Sequence, residues 1–388
     1  MKISPLSFQR DLLLFLYLIY YAQGSLYPSG SIISQLALFL IFGISTSFLV
    51  KTLKLKARKG QFYYVWTALF FLNVLGFILT ANYGNSYHFS MFKNVLASSL
   101  GFFPFYYLAI NGVVKPKHFK WFLIFLLPIT VMQFLVNKAN FISQYETENV
   151  VNNISYSFVL LIPFLFFIRN KFFALGILPI IIFFIIQGAK RGALFAGALG
   201  VVIYIYFLLK NIKFQSKRKR IKMYLFVAVG LGVISYFAYH QFLENEFLQN
   251  RLIAMAGGNT SNRDENFTWI FNAWYSSDSF FHLIFGFGFA SSLEITGRNF
   301  AHNDWLELLS NFGLLGVIIY SLLFLAAIRF IKSKIVTYDR RLLMLSILSI
   351  WFFMTLVSMW YTSISTFTQA ILLGYLFGEH EWHKRTLV

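Results

Sequence analysis

Apolar runs of 15 to 20 residues recur from one end of the chain to the other, with short polar connections between them. Each run is about long enough to cross a hydrocarbon layer of roughly 30 Å as a helix. The pattern predicts twelve membrane-crossing segments, at about 12–28, 32–50, 62–80, 92–112, 121–137, 154–168, 172–188, 192–209, 223–241, 306–328, 342–357 and 364–378. Long apolar runs argue against a membrane barrel, whose strands are shorter and alternate. The first run, from Leu12, lacks a small-residue cleavage site and reads as a retained helix, not a signal peptide. The expected fold is therefore an all-α, polytopic integral membrane protein. It divides into a bundle of about nine spans (1–240), one large hydrophilic segment (241–304), and C-terminal helices with a short tail (305–388).

The hydrophilic segment has a pattern of its own. From Asn262 to Tyr275 the spacing predicts a helix, capped by Ser261 or Asn262 and carrying Asp264 and Glu265 in its first turn. Phe267, Ile270, Phe271 and Trp274 would share one face. The run Leu283 to Phe289 is greasy and hinged at Gly286 and Gly288, so it is expected to return to the membrane surface. The segment closes on Ala301-His302-Asn303-Asp304-Trp305, a polar knot at the start of an apolar helix.

Composition agrees with the pattern: 58% of the 388 residues are hydrophobic, and only 12% are charged where a soluble domain has about 25%. There is no cysteine, which excludes thiol and disulfide chemistry. The net charge of +19 first suggests nucleic acid, but the basic residues cluster between apolar runs, as lipid and the positive-inside rule require. With the N-terminus in the cytoplasm, 26 of the 33 Lys and Arg face inward, the densest cluster running from Lys210 to Lys222. Both termini are then cytoplasmic and the long segment is external.

The seven basic residues left outside are Lys93, Lys138, Lys190, Arg191, Arg251, Arg263 and Arg298. Lys190 and Arg191 stand in a very short turn between two apolar helices. They either snorkel to lipid phosphates or form an anion site assisted by the helix N-terminus near Gly192. Arg263 either pairs with Asp264 or Glu265 or joins that site. Arg298 is an even choice, and Arg251 is expected to pair with Glu244 or Glu246. Arginine forks suit phosphate, and His302 is either an interfacial histidine or a base near neutral pH. Asn303 or Asp304 would orient its ring, although sequence neighbours on a helix do not face one another. Gln133, Gln187, Asn73 and Asn111 read as bonds between helices more than as substrate ligands. No metal-ligand spacing and no nucleotide-binding loop occur, so no cofactor is expected.

These pieces resemble the O-antigen ligase and O-antigen polymerase superfamily. The resemblance rests on Lys190-Arg191-Gly192-Ala193, on Asn262-Arg263-Asp264 followed by Trp269, and on Phe285-Gly286-Phe287-Gly288. Ala301-His302-Asn303-Asp304-Trp305 with Gly313-Leu314-Leu315-Gly316 completes it. By motif it covers about residues 185–330, and the His-Asn before the Gly-Leu-Leu-Gly helix is its most specific piece. It implies a GT-C-like membrane glycosyltransferase of a bacterial inner membrane, working on the periplasmic face without metal. The implied donor is a glycan on undecaprenyl diphosphate, and the acceptor a glycan or another lipid-linked unit. Other polysaccharide-assembly proteins are implied partners. The resemblance assigns Arg191 and Arg263 to the diphosphate and His302 to activation of the acceptor hydroxyl; Lys190 and Arg298 are candidate diphosphate ligands only by their place on the same face. Polymerisation of repeat units is the first expectation. Ligation to lipid A-core is the second, and a flippase or secondary transporter is the rival from another class.

Overall fold

The computed structural model describes residues 4–386 apart from 57–58, 146–149, 213–215, 245, 258–262 and 298. Ser261, Asn262 and Arg298, named above, lie outside the described residues. Among the described residues the chain is helical and has no strand. The N-terminal helices are α1 (Pro5–Tyr21), α2 (Ile32–Lys54), α3 (Gln61–Thr80), α4 (Ser86–Ser99), α5 (Phe102–Ile110) and α6 (Pro116–Tyr145). Next come α7 (Ser155–Leu161), α8 (Lys171–Gln187), α9 (Arg191–Ile212) and α10 (Lys217–Glu244). The polar segment holds α11 (Glu246–Ala256), α12 (Arg263–Tyr275), α13 (Phe280–Phe285) and α14 (Ser291–Thr296). The chain closes with α15 (Asp304–Lys332), α16 (Tyr338–Val357) and α17 (Phe367–Thr386).

Local chemistry explains several of these ends. Ser4 accepts a bond from the Ser7 amide with Pro5 in the first turn, and Ser31 does the same for the Ser34 amide. Asn170 caps α8 through the amides of Phe172 and Phe173. Lys51 and Lys54 close α2, and Arg329 and Lys332 close α15, where a helix dipole favours cations.

Among the described residues, seven helices are long and apolar enough to cross a membrane: α2, α3, α6, α9, α10, α15 and α16. The other expected segments fall on helix too, but in shorter pieces. The run 92–112 is two helices, α4 and α5, parted at Leu100 and Gly101. The run 154–168 is the two-turn helix α7 followed by a 3-10 stretch, Ile162–Phe167, where Pro163 removes a donor. The run 364–378 begins as a 3-10 turn and continues as α17. Large apolar side chains remain exposed on the long helices: Phe39 (73%), Leu79 (76%) and Val202 (65%). Water would not tolerate so much greasy surface, whereas lipid covers it. The polar residues embedded in the helices bond to protein. Gln187 donates to Gln241 and so ties α8 to α10, and Gln133 donates to the carbonyl of Tyr21 on α1. Asn73 and Asn111 bond back to Leu69 and Tyr107 within their own turns.

α15 is not continuous. Gly313 has φ 57° and ψ −151°, which breaks the helix after three turns. The break frees the carbonyls of Ser310 and Asn311, because their usual donors four residues on have moved away. The hinge after α13 supplies replacements: Phe287 N–H donates to Ser310 O (2.7 Å) and Gly288 N–H to Asn311 O (3.3 Å). The approach is close enough to require glycine on both sides. A Cβ on Gly286 would lie 2.5 Å from the Phe312 nitrogen, and one on Gly313 would lie 2.6 Å from the Ile284 carbonyl. The Phe289 amide donates to Thr80 Oγ1 (2.8 Å), which fastens the same hinge to the end of α3. Beyond it, Phe280 and Phe281 point outward, 76% and 64% exposed, as a surface-seeking segment requires. Gly313→Ala would combine a left-handed backbone with a backbone clash. It should cost more than about 2 kcal/mol and lower the melting temperature in detergent, whereas an unchanged melt would show that the hinge and the break do not depend on each other.

Candidate functional site

A cavity of about 300 Å³ opens where the polar segment meets the bundle. Lys190, Arg263 and His302 all line it, although they come from three distant parts of the chain. Its other polar groups are neutral, with Tyr87 and Asn94 from α4, Asn153 and Tyr156 from around α7, and Ser358 and Thr362 after α16. Met91, Met354 and Met359 supply apolar wall.

Each charged residue has a local reason for its place. The turn before α9 is pinned to the start of α7: the Asn152 amide donates to Gly188 O (3.0 Å), and Asn152 Nδ2 donates to Phe134 O (2.9 Å). Ala189 takes a left-handed φ of 46°, which turns Lys190 into the cavity. Lys190 O then accepts from Leu194 N (3.0 Å), the opening bond of α9. Gly192 completes the Lys-Arg-Gly piece for a steric reason. A Cβ there would lie 2.2 Å from the Tyr156 hydroxyl, which lies buried against this turn. Arg263 starts α12, and one of its five donors is spent on Val357 O (2.6 Å) at the end of α16. It makes no ion pair with Asp264 or Glu265 among the described residues.

His302 also has a left-handed backbone, with φ 51°. That conformation costs a non-glycine residue about 1–2 kcal/mol, and the following cap holds it in place. Asn303 Oδ1 accepts from the amides of Trp305 (2.9 Å) and Leu306 (3.2 Å), and its Nδ2 donates to Leu356 O (3.4 Å). Asn303 is therefore the N-cap of α15 and does not orient the histidine ring.

Asp304 does not orient it either. Its side chain is fully buried and accepts from the Trp360 amide (2.9 Å), the Tyr361 amide (3.3 Å) and the Tyr320 hydroxyl (2.7 Å). Trp351 Nε1 donates in turn to the Tyr320 oxygen (2.8 Å). One carboxylate thus binds the start of α15 to the non-helical turn after α16, the turn that forms one wall of the cavity. A second buried carboxylate, Glu307, went unnoticed in the sequence. It accepts from Ser292 Oγ (2.8 Å to each oxygen), the Ala301 amide (3.0 Å) and Asn311 Nδ2 (3.3 Å). It holds the strand of chain that carries His302 down onto α15. Its only sequence signal was a charge one turn into an apolar helix.

Positive charge accumulates around the cavity. Lys190 is pushed down to about 8 by partial burial, then by the charges of Arg263, Arg251 and Arg191. The surrounding protein lowers His302 to about 4, with Arg263 and Lys190 adding to the effect, although part of its ring still reaches solvent. Arg251 is lowered by burial and by Arg191 and Arg263. Arg251 therefore joins the cationic cluster; it makes no ion pair with Glu246 among the described residues, and the Glu244 side chain, its other expected partner, lies outside them. Arg191 belongs to the same electrostatic group but does not line the cavity, so it acts at one remove. The helix α12 also corrects the expected face: Asn266 and Ile270 are buried, while Phe271 turns outward. Among the described residues, no three His, Asp or Glu side chains converge as a metal site.

The chain matches no protein-family model and no curated protein. The site is therefore read from its own chemistry: a neutral imidazole and two cations share one recess with hydroxyl and amide groups suited to a polyol.

Two measurements test this geometry. Asp304→Asn keeps the shape but removes acceptor capacity from a buried three-donor site. It should destabilise by about 1–3 kcal/mol and expose the 358–363 turn to protease; wild-type stability would contradict the clamp. Lys190 gives a pH test. Its folded pKa lies below the unfolded 10.5, so the empty fold carries a penalty at pH 7 that is relieved as pH rises from about 8 to 10.5. A bound anion favours the protonated form. Pyrophosphate affinity, measured by calorimetry, should therefore fall above pH 8 relative to Lys190→Gln, which cancels the titration of the probe. Parallel pH curves for the two proteins would remove Lys190 from the anion site.

Proposed function

We propose that the protein is a membrane glycosyltransferase that polymerises undecaprenyl-diphosphate-linked oligosaccharide units at the periplasmic face of a bacterial inner membrane. The observation that carries this reading is the shared cavity of Lys190, Arg263 and His302. In the proposed reaction Lys190 and Arg263 neutralise the departing diphosphate, with Arg191 and Arg251 adding field from behind. Fixed cations are most effective where charge develops in the transition state. The acceptor hydroxyl attacks the anomeric carbon, the bond from that carbon to the diphosphate oxygen breaks, and His302 takes the hydroxyl proton. A single displacement of this kind inverts the anomeric centre and needs no carboxylate pair.

The electrostatics give His302 a substrate-dependent basicity. In the empty cavity the imidazole is neutral at pH 7, which a base requires, but its pKa of about 4 makes it weak. A diphosphate offsets the Arg263 and Lys190 charges and moves His302 back toward its ordinary value. The donor thus strengthens the base that its own transfer needs.

In this proposal the chain crosses the membrane twelve times in a GT-C-like arrangement. The seven long helices are joined by α1, α8, the α4–α5 pair, the α7 region and α17. Transfer fits better than transport, because the cationic cavity sits at one end of the bundle and its charges do not continue through it.

His302→Asn tests the reading. Asparagine tolerates the left-handed backbone, so the fold should melt normally. Polymerisation by the purified protein, with lipid-diphosphate oligosaccharide as donor and acceptor, should fall by at least about a hundredfold. Full activity in the variant would sink the assignment of the base, and no consumption of donor by the wild type would sink the function.

A further inference from the structure

A second cavity, about 500 Å³, lies at the other end of the bundle. Two elements run from one cavity to the other. The start of α16 lines this one through Asp339 and Arg340, and its end lines the first through Met354. Across its 20 residues that is about 30 Å. Tyr156 and the segment Phe166 to Arg169 mark the two ends of the α7 region in the same way. Nothing in the proposed transfer reaction uses this second space.

Its lining is divided. The inner wall is aromatic and aliphatic, with Phe166, Phe167, Phe207 and Phe330. The rim carries charge. Arg340 is committed: its Nε donates to Glu379 Oε2 (2.7 Å) and its Nη2 to Glu379 Oε1 (3.0 Å), which neutralises both. Two other cations are not committed. Lys171 donates only to its neighbouring carbonyl, Ile168 O (3.2 Å), and its ammonium lies 4.4 Å from the centre of the Phe207 ring. Arg169 is exposed on the same rim. Asp339 lines the same rim, exposed, within electrostatic reach of Lys171 but without an ion pair among the described residues. Thr337 lines the cavity too, as an N-cap whose hydroxyl makes no capping bond, so the opening amides of α16 face the rim unsatisfied by it.

We infer that this cavity binds the headgroup of a membrane glycerophospholipid that carries both a phosphate and an amine, as phosphoethanolamine does. Arg169, Lys171 and the start of α16 suit the phosphate. Asp339 suits the ammonium, and the phenylalanine wall takes the glycerol and the first acyl carbons. A cavity of this volume lies within the range that holds small ligands. A free phosphate would leave both the wall and Asp339 without a partner, so the lining favours lipid. Basic recesses between helices on the side richest in Lys and Arg dock the phosphates of lipid headgroups, and Asp339 adds the feature that selects one carrying an amine.

The test uses the full chain, purified in detergent and stripped of lipid. Its thermal stability is followed during titration with phosphatidylethanolamine, with phosphatidylglycerol and with inorganic phosphate, and retained lipid is counted by native mass spectrometry. Phosphatidylethanolamine should raise the melting temperature and remain bound at one per chain. Arg169→Gln, a change at an exposed rim position, should weaken that binding about tenfold without altering the lipid-free melt, and Lys171→Gln should weaken it further. Asp339→Asn should remove the preference over phosphatidylglycerol. Equal stabilisation by inorganic phosphate would overturn the lipid assignment, and equal binding of phosphatidylethanolamine by Arg169→Gln and Lys171→Gln would overturn the site. None of these residues lines the first cavity, so failure here leaves the proposed transferase untouched.

Discussion

One buried carboxylate holds the architecture of the candidate site together. Asp304 begins α15, yet its oxygens are spent on the amides of Trp360 and Tyr361 and on the Tyr320 hydroxyl. The amides lie in the one stretch where the chain between α16 and α17 is neither helix nor exposed loop. Without an acceptor they would be buried and unpaired, at a cost of about 1–3 kcal/mol each. The carboxylate therefore permits the non-helical turn, the turn supplies Ser358, Met359 and Thr362 to the cavity, and the cap one residue earlier fixes the backbone of His302. A structural acid thus sets the position of a base that it never touches.

The second constraint is unbalanced charge. The charges of Arg263, Arg251 and Arg191 add to the burial that depresses Lys190, and no carboxylate of the described residues pairs with Lys190 or Arg263. A protein gains nothing in stability from such a group. Its presence beside a recess is a demand for an anion, and it adds to the burial that makes the neutral form of His302 the resting one. The other end of the bundle uses charge differently. There Arg340 and Glu379 neutralise each other, and the remaining cations face a carboxylate across a greasy recess.

Much of this was legible in the sequence. Apolar run length fixed where helices lie, because burying backbone in lipid leaves few alternatives. The acidic first turn of α12 and the glycine hinge after α13 were visible for local reasons. Topology and resemblance grouped Arg191 and Arg263 with His302, with Lys190 beside them; Lys190, Arg263 and His302 line one cavity, and Arg191 does not. What stayed hidden depends on distant partners. Asn303 and Asp304 looked like a catalytic entourage, but a cap and a clamp use the same side chains, and only the positions of Leu356 and Tyr361 separate these roles. Arg251 carries no sequence signal of its place in this cluster, because its electrostatic neighbours Arg191 and Arg263 are distant in the chain. The break at Gly313 carries no local signal, since a glycine inside an apolar helix is common and the clash that requires it comes from Ile284. Glu307 and its serine and asparagine partners were hidden for the same reason.

The central claim is that an anionic leaving group sits on Lys190 and Arg263 with the reacting carbon next to His302. The most direct measurement is a structure of the protein with a non-transferable lipid-diphosphate glycan bound. The account predicts diphosphate oxygens about 2.7–2.9 Å from the Lys190 ammonium and the free Arg263 donors, with the first sugar against the His302 ring. A diphosphate bound anywhere else, or a ligand that leaves His302 facing only solvent, would contradict it.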